Sequence, residues 1–72
     1  MPPSTPWKSY VAIDIAPDGQ ALSDRFDAPH DTAAVRRAQF AAEGPLLQLW
    51  REARLVGAWR RTGPRTFEPE AF

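Results

Sequence analysis

The stretch DAPHDTAAVRRAQFAAEGP, residues 27–45, decides the fold. Ala34, Val35, Ala38, Ala41 and Ala42 recur at i, i+1, i+4, i+7 and i+8, the spacing that gathers them on one face of an α-helix. That spacing predicts a helix from about Asp31 to Glu43. An Asp or Thr at its start can accept a bond from an otherwise unpaired helix N–H, and negative charge suits the dipole there. Pro29 fits just outside the helix or in its first turn. Gly44 is the expected left-handed residue at the C-terminus, and Pro45 blocks continuation. The inner face is almost all alanine, so the helix must lie close against a sheet. Phe40 falls on the opposite face, next to Arg36, Arg37 and Ala33.

Both flanks of this helix read as strand pairs. Upstream, Trp7, Ser9, Val11, Ile13 and Ile15 share one face of an alternating segment, and Lys8, Tyr10, Ala12 and Asp14 share the other. Period two with β-branched residues predicts a strand with the odd positions inward. Pro17-Asp18-Gly19 is a turn: proline presets the first corner and glycine supplies positive φ. Gln20–Phe26 returns as the second strand, with Leu22, Asp24 and Phe26 on one side. Downstream, Leu46–Arg51 and Leu55–Arg61 are a third and fourth strand joined by Glu52-Ala53-Arg54. A three-residue loop puts Leu47 and Leu49 on the face of Leu55, Gly57 and Trp59, and turns Trp50 away from the helix with Leu46 and Val56. A two-residue loop exchanges these faces, because a slip of one residue flips every side chain. The three-residue register is the expectation.

The expected fold is therefore α+β in the order β-β-α-β-β, a four-stranded antiparallel sheet with one helix packed on one face. The helical crossover permits several strand orders. Prolines at 2, 3 and 6, and again at 64 and 69, predict disordered tails over 1–6 and 63–72 around a single domain of 7–62. With 72 residues the chain builds one domain. So small a core uses nearly every large apolar side chain, which leaves little room for a deep pocket.

Asp18-Gly19 after the first strand, Ala34-Val-Arg-Arg-Ala38 in the helix, then Gln48-Leu-Trp50 and Arg54-Leu-Val56 carry a resemblance. Over about residues 10–60 the chain resembles a group of very short bacterial proteins of unknown function, built of a hairpin, one Ala-rich helix and a closing "LW…RLV" hairpin. The resemblance implies the same fold and a bacterial cytoplasmic setting. It implies no activity, cofactor or catalytic residue.

Several function classes lose their residues at once. There is no cysteine, hence no disulfide, thiolate zinc site or Cys nucleophile, and one histidine makes no multi-histidine metal site. No apolar run approaches the roughly 20 residues of a membrane-spanning helix. The start of the chain lacks the basic and apolar stretches of a signal peptide, so a cytoplasmic protein is expected. Asp27, His30 and Asp31 form an Asp-x-x-His-Asp cluster in which a carboxylate could orient an imidazole as a base. No nucleophile stands at a diagnostic spacing, and helix capping accounts for the cluster. Asp14, Asp18 and Asp24 read as solvated strand and turn positions rather than paired acids. The four glycines are scattered and build no phosphate loop. No catalytic residue, metal or cofactor is expected.

Charge placement says more than the zero net charge. Residues 1–31 hold two basic against five acidic groups, a net of −3; residues 32–65 hold seven arginines against two glutamates, a net of +5. Two surfaces emerge as candidates for interaction. One is Arg36, Arg37 and Phe40 on the outer helix; the other is Trp50 with Arg51, Arg54, Arg60 and Arg61 on the last hairpin. A sheet covered by one helix also keeps a face in reserve, and Trp50, Leu46, Val56 and Tyr10 there would form an apolar patch. The expected function is a non-enzymatic interaction or regulatory module that forms a homodimer or binds a protein partner. The alternative is an arginine-based nucleic-acid-binding domain, in which tryptophans stack on bases.

Overall fold

The computed structural model describes residues 7–70. Its elements are β1 (Lys8–Ile15), β2 (Ala21–Ala28), α1 (Asp31–Ala41), β3 (Leu46–Arg51), β4 (Arg54–Gly63) and β5 (Thr66–Pro69). The strands form one antiparallel sheet in the order β2-β1-β3-β4-β5, with α1 across one side. The α+β class and the order β-β-α-β-β hold, but the sheet has five strands, not four.

The fifth strand corrects the expected boundary at residue 62. The chain reverses at Pro64-Arg65 and pairs Thr66–Pro69 with β4. Pro69 closes an edge strand, where its missing N–H costs no ladder bond. Phe67 packs against the core under the Arg61 guanidinium, 4.7 Å from the ring centroid. The expectations for 1–6 and 71–72 fall outside the described residues.

The phase of β1 is also the reverse of the sequence reading. Tyr10 and Ala12 are buried beneath the helix, while Val11, Ile13 and Ile15 lie half-buried on the far face. Tyr10 stacks on its cross-strand neighbour Phe26 at 5.9 Å, and Ala12 pairs with Leu49. Ala34 and Ala38 complete this layer with Ala28 and Leu47. The helix can approach so closely because its facing side chains are methyl groups. Its inward stripe is narrower than expected: Val35 and Ala42 are half-buried and Ala41 is exposed.

Local chemistry sets the helix ends. The N-cap is His30, whose backbone is extended and whose Nδ1 accepts the Ala33 N–H at 3.1 Å. The ring proton of the neutral imidazole is thereby left on Nε2. At the other end the helix stops at Ala41, short of Glu43, with Ala42 as the cap. Gly44 does not take the left-handed conformation; among the described glycines only Gly19 has a positive φ, of 89°. Gly44 is needed for a different reason. A Cβ there would overlap the Ile15 carbonyl oxygen and the Asp14 carboxylate.

The β3–β4 hairpin combines both registers considered from sequence. Its turn has two residues, Glu52-Ala53, with Arg51 opposite Arg54. Glu52 has a φ of 55°, as the first central residue of a primed hairpin turn requires. A bulge at Val56 then shifts the pairing between Trp50 opposite Leu55 and Leu49 opposite Gly57. Leu47, Leu49, Gly57 and Trp59 consequently share the helix side, whereas Leu55 joins Trp50 on the other. The helix does not extend over β4 and β5. Trp59, folded over the bare Gly57, supplies cover there with Phe67 and Arg61.

Candidate interaction surface

Among the described residues, nothing forms a layer on the face of the sheet opposite the helix. Alternation along each strand and the pairing register place Val11, Ile13 and Ile15 of β1 beside Leu46, Gln48 and Trp50 of β3. Leu55 and Ala58 of β4 continue the surface. The large apolar groups at its centre are half-buried through one another. Trp50 Nε1–H donates to Gln48 Oε1 at 3.0 Å, which lays the indole along its own strand. A polar rim surrounds this centre. Ser9 Oγ donates to Asp27 at 3.0 Å, Arg25 stands on β2, and Arg60 approaches Glu70 at 3.3 Å on the β4–β5 side. An apolar centre within a polar rim is the ordinary anatomy of a protein interface.

The eight residues singled out from sequence do not form one surface. Trp50 and Arg60 lie on the open face. Arg61, one residue on, points to the helix side and binds the Ala42 carbonyl at 2.5 Å, Gly44 at 3.2 Å and Pro64 at 2.6 Å. It is a clamp on the end of α1. Arg54 sits at the hairpin tip and pairs with Asp31 at 3.1 Å. Arg51, next to Trp50 in sequence, turns to the helix side and lies near the Tyr10–Asp31 pair. Arg37 covers the Phe26 ring at 4.9 Å. Arg36 and Phe40 do share the outer helix, where Phe40 is 81% exposed with Arg65 at 6.0 Å from its ring. Of the patch expected on the open face, Trp50 and Leu46 are present, Tyr10 is on the opposite side, and Val56, unpaired at the bulge, packs against the core. Val11, Ile13 and Ile15 are legible in the sequence only as one face of an alternating strand, and alternation alone points that face to the core rather than to this surface.

The acidic cluster disperses in the same way. Asp27 takes Ser9, His30 caps the helix, and Asp31 accepts the Tyr10 hydroxyl at 2.6 Å. Burial, then this hydrogen bond, pushes the Tyr10 phenol above its ordinary pKa. The Tyr10 hydroxyl, then the Arg54 guanidinium, hold the Asp31 carboxyl below its ordinary value. Asp14 is no solvated strand residue: its two oxygens accept the Glu43 and Gly44 N–H groups, each at 2.8 Å. Among the described residues no group of three or more His, Cys, Asp or Glu is placed to hold a metal ion.

On the helix side, a cleft of about 220 Å³ opens beside the C-terminal half of α1, where the alanine face is too thin to fill the space. Phe26, Leu47 and Ala38 line it, with Asp24 and Glu43 at its rim and Leu22 73% exposed along one wall. No helix among the described residues is long and apolar enough to cross a membrane. Comparison with known proteins finds no matching family model, no matching curated protein and no matching solved structure.

Proposed function

We propose that this chain is a non-enzymatic interaction module of the cytoplasm, and that it associates with itself through the open face of the sheet. One observation carries the reading: the two central strands present Val11, Ile13, Ile15, Leu46 and Trp50 on a face that no other element among the described residues covers. Side chains of this kind gain about 25 cal/mol per Å² when removed from water, and a second copy is the commonest partner of a soluble chain. Sedimentation equilibrium from micromolar to millimolar concentration tests it. Reversible dimerisation that Trp50→Ala weakens supports the reading, because buried aromatics dominate interface energies. A strict monomer across that range refutes it and leaves only a different protein as the partner.

Nucleic-acid binding by the arginines is the competing reading. It is disfavoured because Arg37, Arg54, Arg60 and Arg61 each face a partner within the chain. Titration of single- and double-stranded oligonucleotides decides between them, since phosphate binding weakens steeply with added salt and apolar self-association does not.

A further inference from the structure

We infer that two copies stack open face on open face, about a two-fold axis that runs parallel to the strands and passes over β3. This rests on the self-association proposed above and adds the arrangement and the charges that select it.

The size of the face bears on the strength of such a pair. Five strands about 4.8 Å apart, with about three open-face residues per strand at ~7 Å spacing, make a face of about 500 Å². Two such faces bury about 1,000 Å² in total, at the lower limit of specific interfaces. The dimer is accordingly weak and reversible, and its polar rim has influence over the geometry.

That rim is unequal. Arg25 stands on β2 at one edge of the sheet, in the same row as Val11 and Trp50. Among the described residues its side chain makes no hydrogen bond or ion pair. Glu70 stands at the other edge. Its N–H binds the Ala58 carbonyl, which places it one row from Arg25. The Glu70 side chain makes no hydrogen bond among the described residues: Arg60 Nε approaches its enclosed Oε2 to 3.3 Å without hydrogen-bond alignment, and the side chain as a whole stays 30% exposed. One edge thus holds a cation without a partner, and the opposite edge two carboxylates, Glu68 and Glu70, against the single cation Arg60.

Rotation about an axis parallel to the strands carries β2 of one copy over β5 of the other. Each Arg25 then meets the Glu70 of the second copy, across a row offset of about 7 Å that an extended arginine spans. Trp50 meets its own counterpart beside the axis, and Val11, Ile13 and Ile15 lie over β4. An axis perpendicular to the strands stacks β5 on β5 instead. It would bring together two edges that each carry Glu68 and Glu70 against a single Arg60, a net juxtaposition of like charge that works against association.

Charge exchange tests the arrangement. Arg25→Glu and Glu70→Arg, each as the full chain, are expected to weaken dimerisation at low salt by about tenfold or more, since each opposes like charges twice per dimer. An equimolar mixture of the two variants is expected to pair at parental strength, because both contacts are then restored. Circular dichroism checks each fold, and Glu70→Gln, with a smaller loss, replaces Glu70→Arg if that variant unfolds. Two variants that dimerise like the parent, or a mixture no tighter than its components, overturn the arrangement. If Trp50→Ala weakens the dimer while the charge variants do nothing, the axis fails and the face stands. A chain that is monomeric to millimolar concentration overturns both.

Discussion

Replacing Arg61 by alanine removes the clamp that joins the end of the helix to the last two strands. Its guanidinium donates to the Ala42 and Gly44 carbonyls on one side, and to Gly63 and Pro64 on the other, while lying on Phe67. Water can replace the donor at the exposed Pro64 carbonyl, and the Gly63 contact at 3.4 Å is weak. The Ala42 and Gly44 bonds are partly buried, and each is worth about 1 kcal/mol or more net because the donor is charged. The stacking on Phe67 adds about 0.5–1 kcal/mol. The loss is therefore about 3 kcal/mol, a large share of the 5–10 kcal/mol typical of so small a domain. It corresponds to roughly 12–24 °C in Tm. Urea unfolding followed by tryptophan fluorescence measures it, and amide exchange should show β5 losing protection before β1. Arg61→Lys should recover less than half, since an ammonium cannot span carbonyls on both sides of a planar fork. The neighbouring Arg60→Ala is the control. Arg60 is itself 58% exposed on the open face and meets Glu70 without hydrogen-bond alignment, so its loss should cost no more than about 1 kcal/mol. Equal effects at 60 and 61, or full recovery by lysine, would refute the clamp.

Other perturbations follow from the same structure. Asp31 has a lowered folded-state pKa, so its contribution to stability is complete above the ordinary carboxylate range and is lost as pH falls through the folded value. Tyr10 has a raised one, so its contribution is complete below about pH 10 and is lost as pH rises toward the folded value. In pH-dependent urea unfolding, Tyr10→Phe should remove the alkaline loss and cost about 1 kcal/mol at neutral pH. Glu52→Gly should raise stability by about 0.5–1 kcal/mol, since it relieves a positive φ on a residue with a Cβ; an unchanged denaturation midpoint would contradict that turn geometry. Ala34→Leu should cost about 1–3 kcal/mol by overpacking a fully buried site. Ala38→Leu, beside the cleft with Phe26 and Leu47, should cost distinctly less, and an equal loss would show that the cleft gives no room.

Local chemistry made most of the secondary structure legible from the chain alone. The alanine spacing marked α1, Pro17-Asp18-Gly19 marked the first turn, and the alternating runs marked β1, β3 and β4, because each signal depends on near neighbours. Tertiary structure settled matters that such signals leave symmetric. Alternation in β1 says that its two faces differ, but only pairing with Phe26 and Leu49 puts Tyr10 and Ala12 under the helix. That choice frees Val11, Ile13 and Ile15 for the open face. Arg60 and Arg61 are alike in sequence and one residue apart, so they fall on opposite faces of β4; only the position of the helix end makes one of them a clamp. The last strand was hidden because Thr66–Pro69 is short, polar and proline-terminated. Its stability comes from β4 and Arg61, partners that lie across the sheet and that no local pattern records.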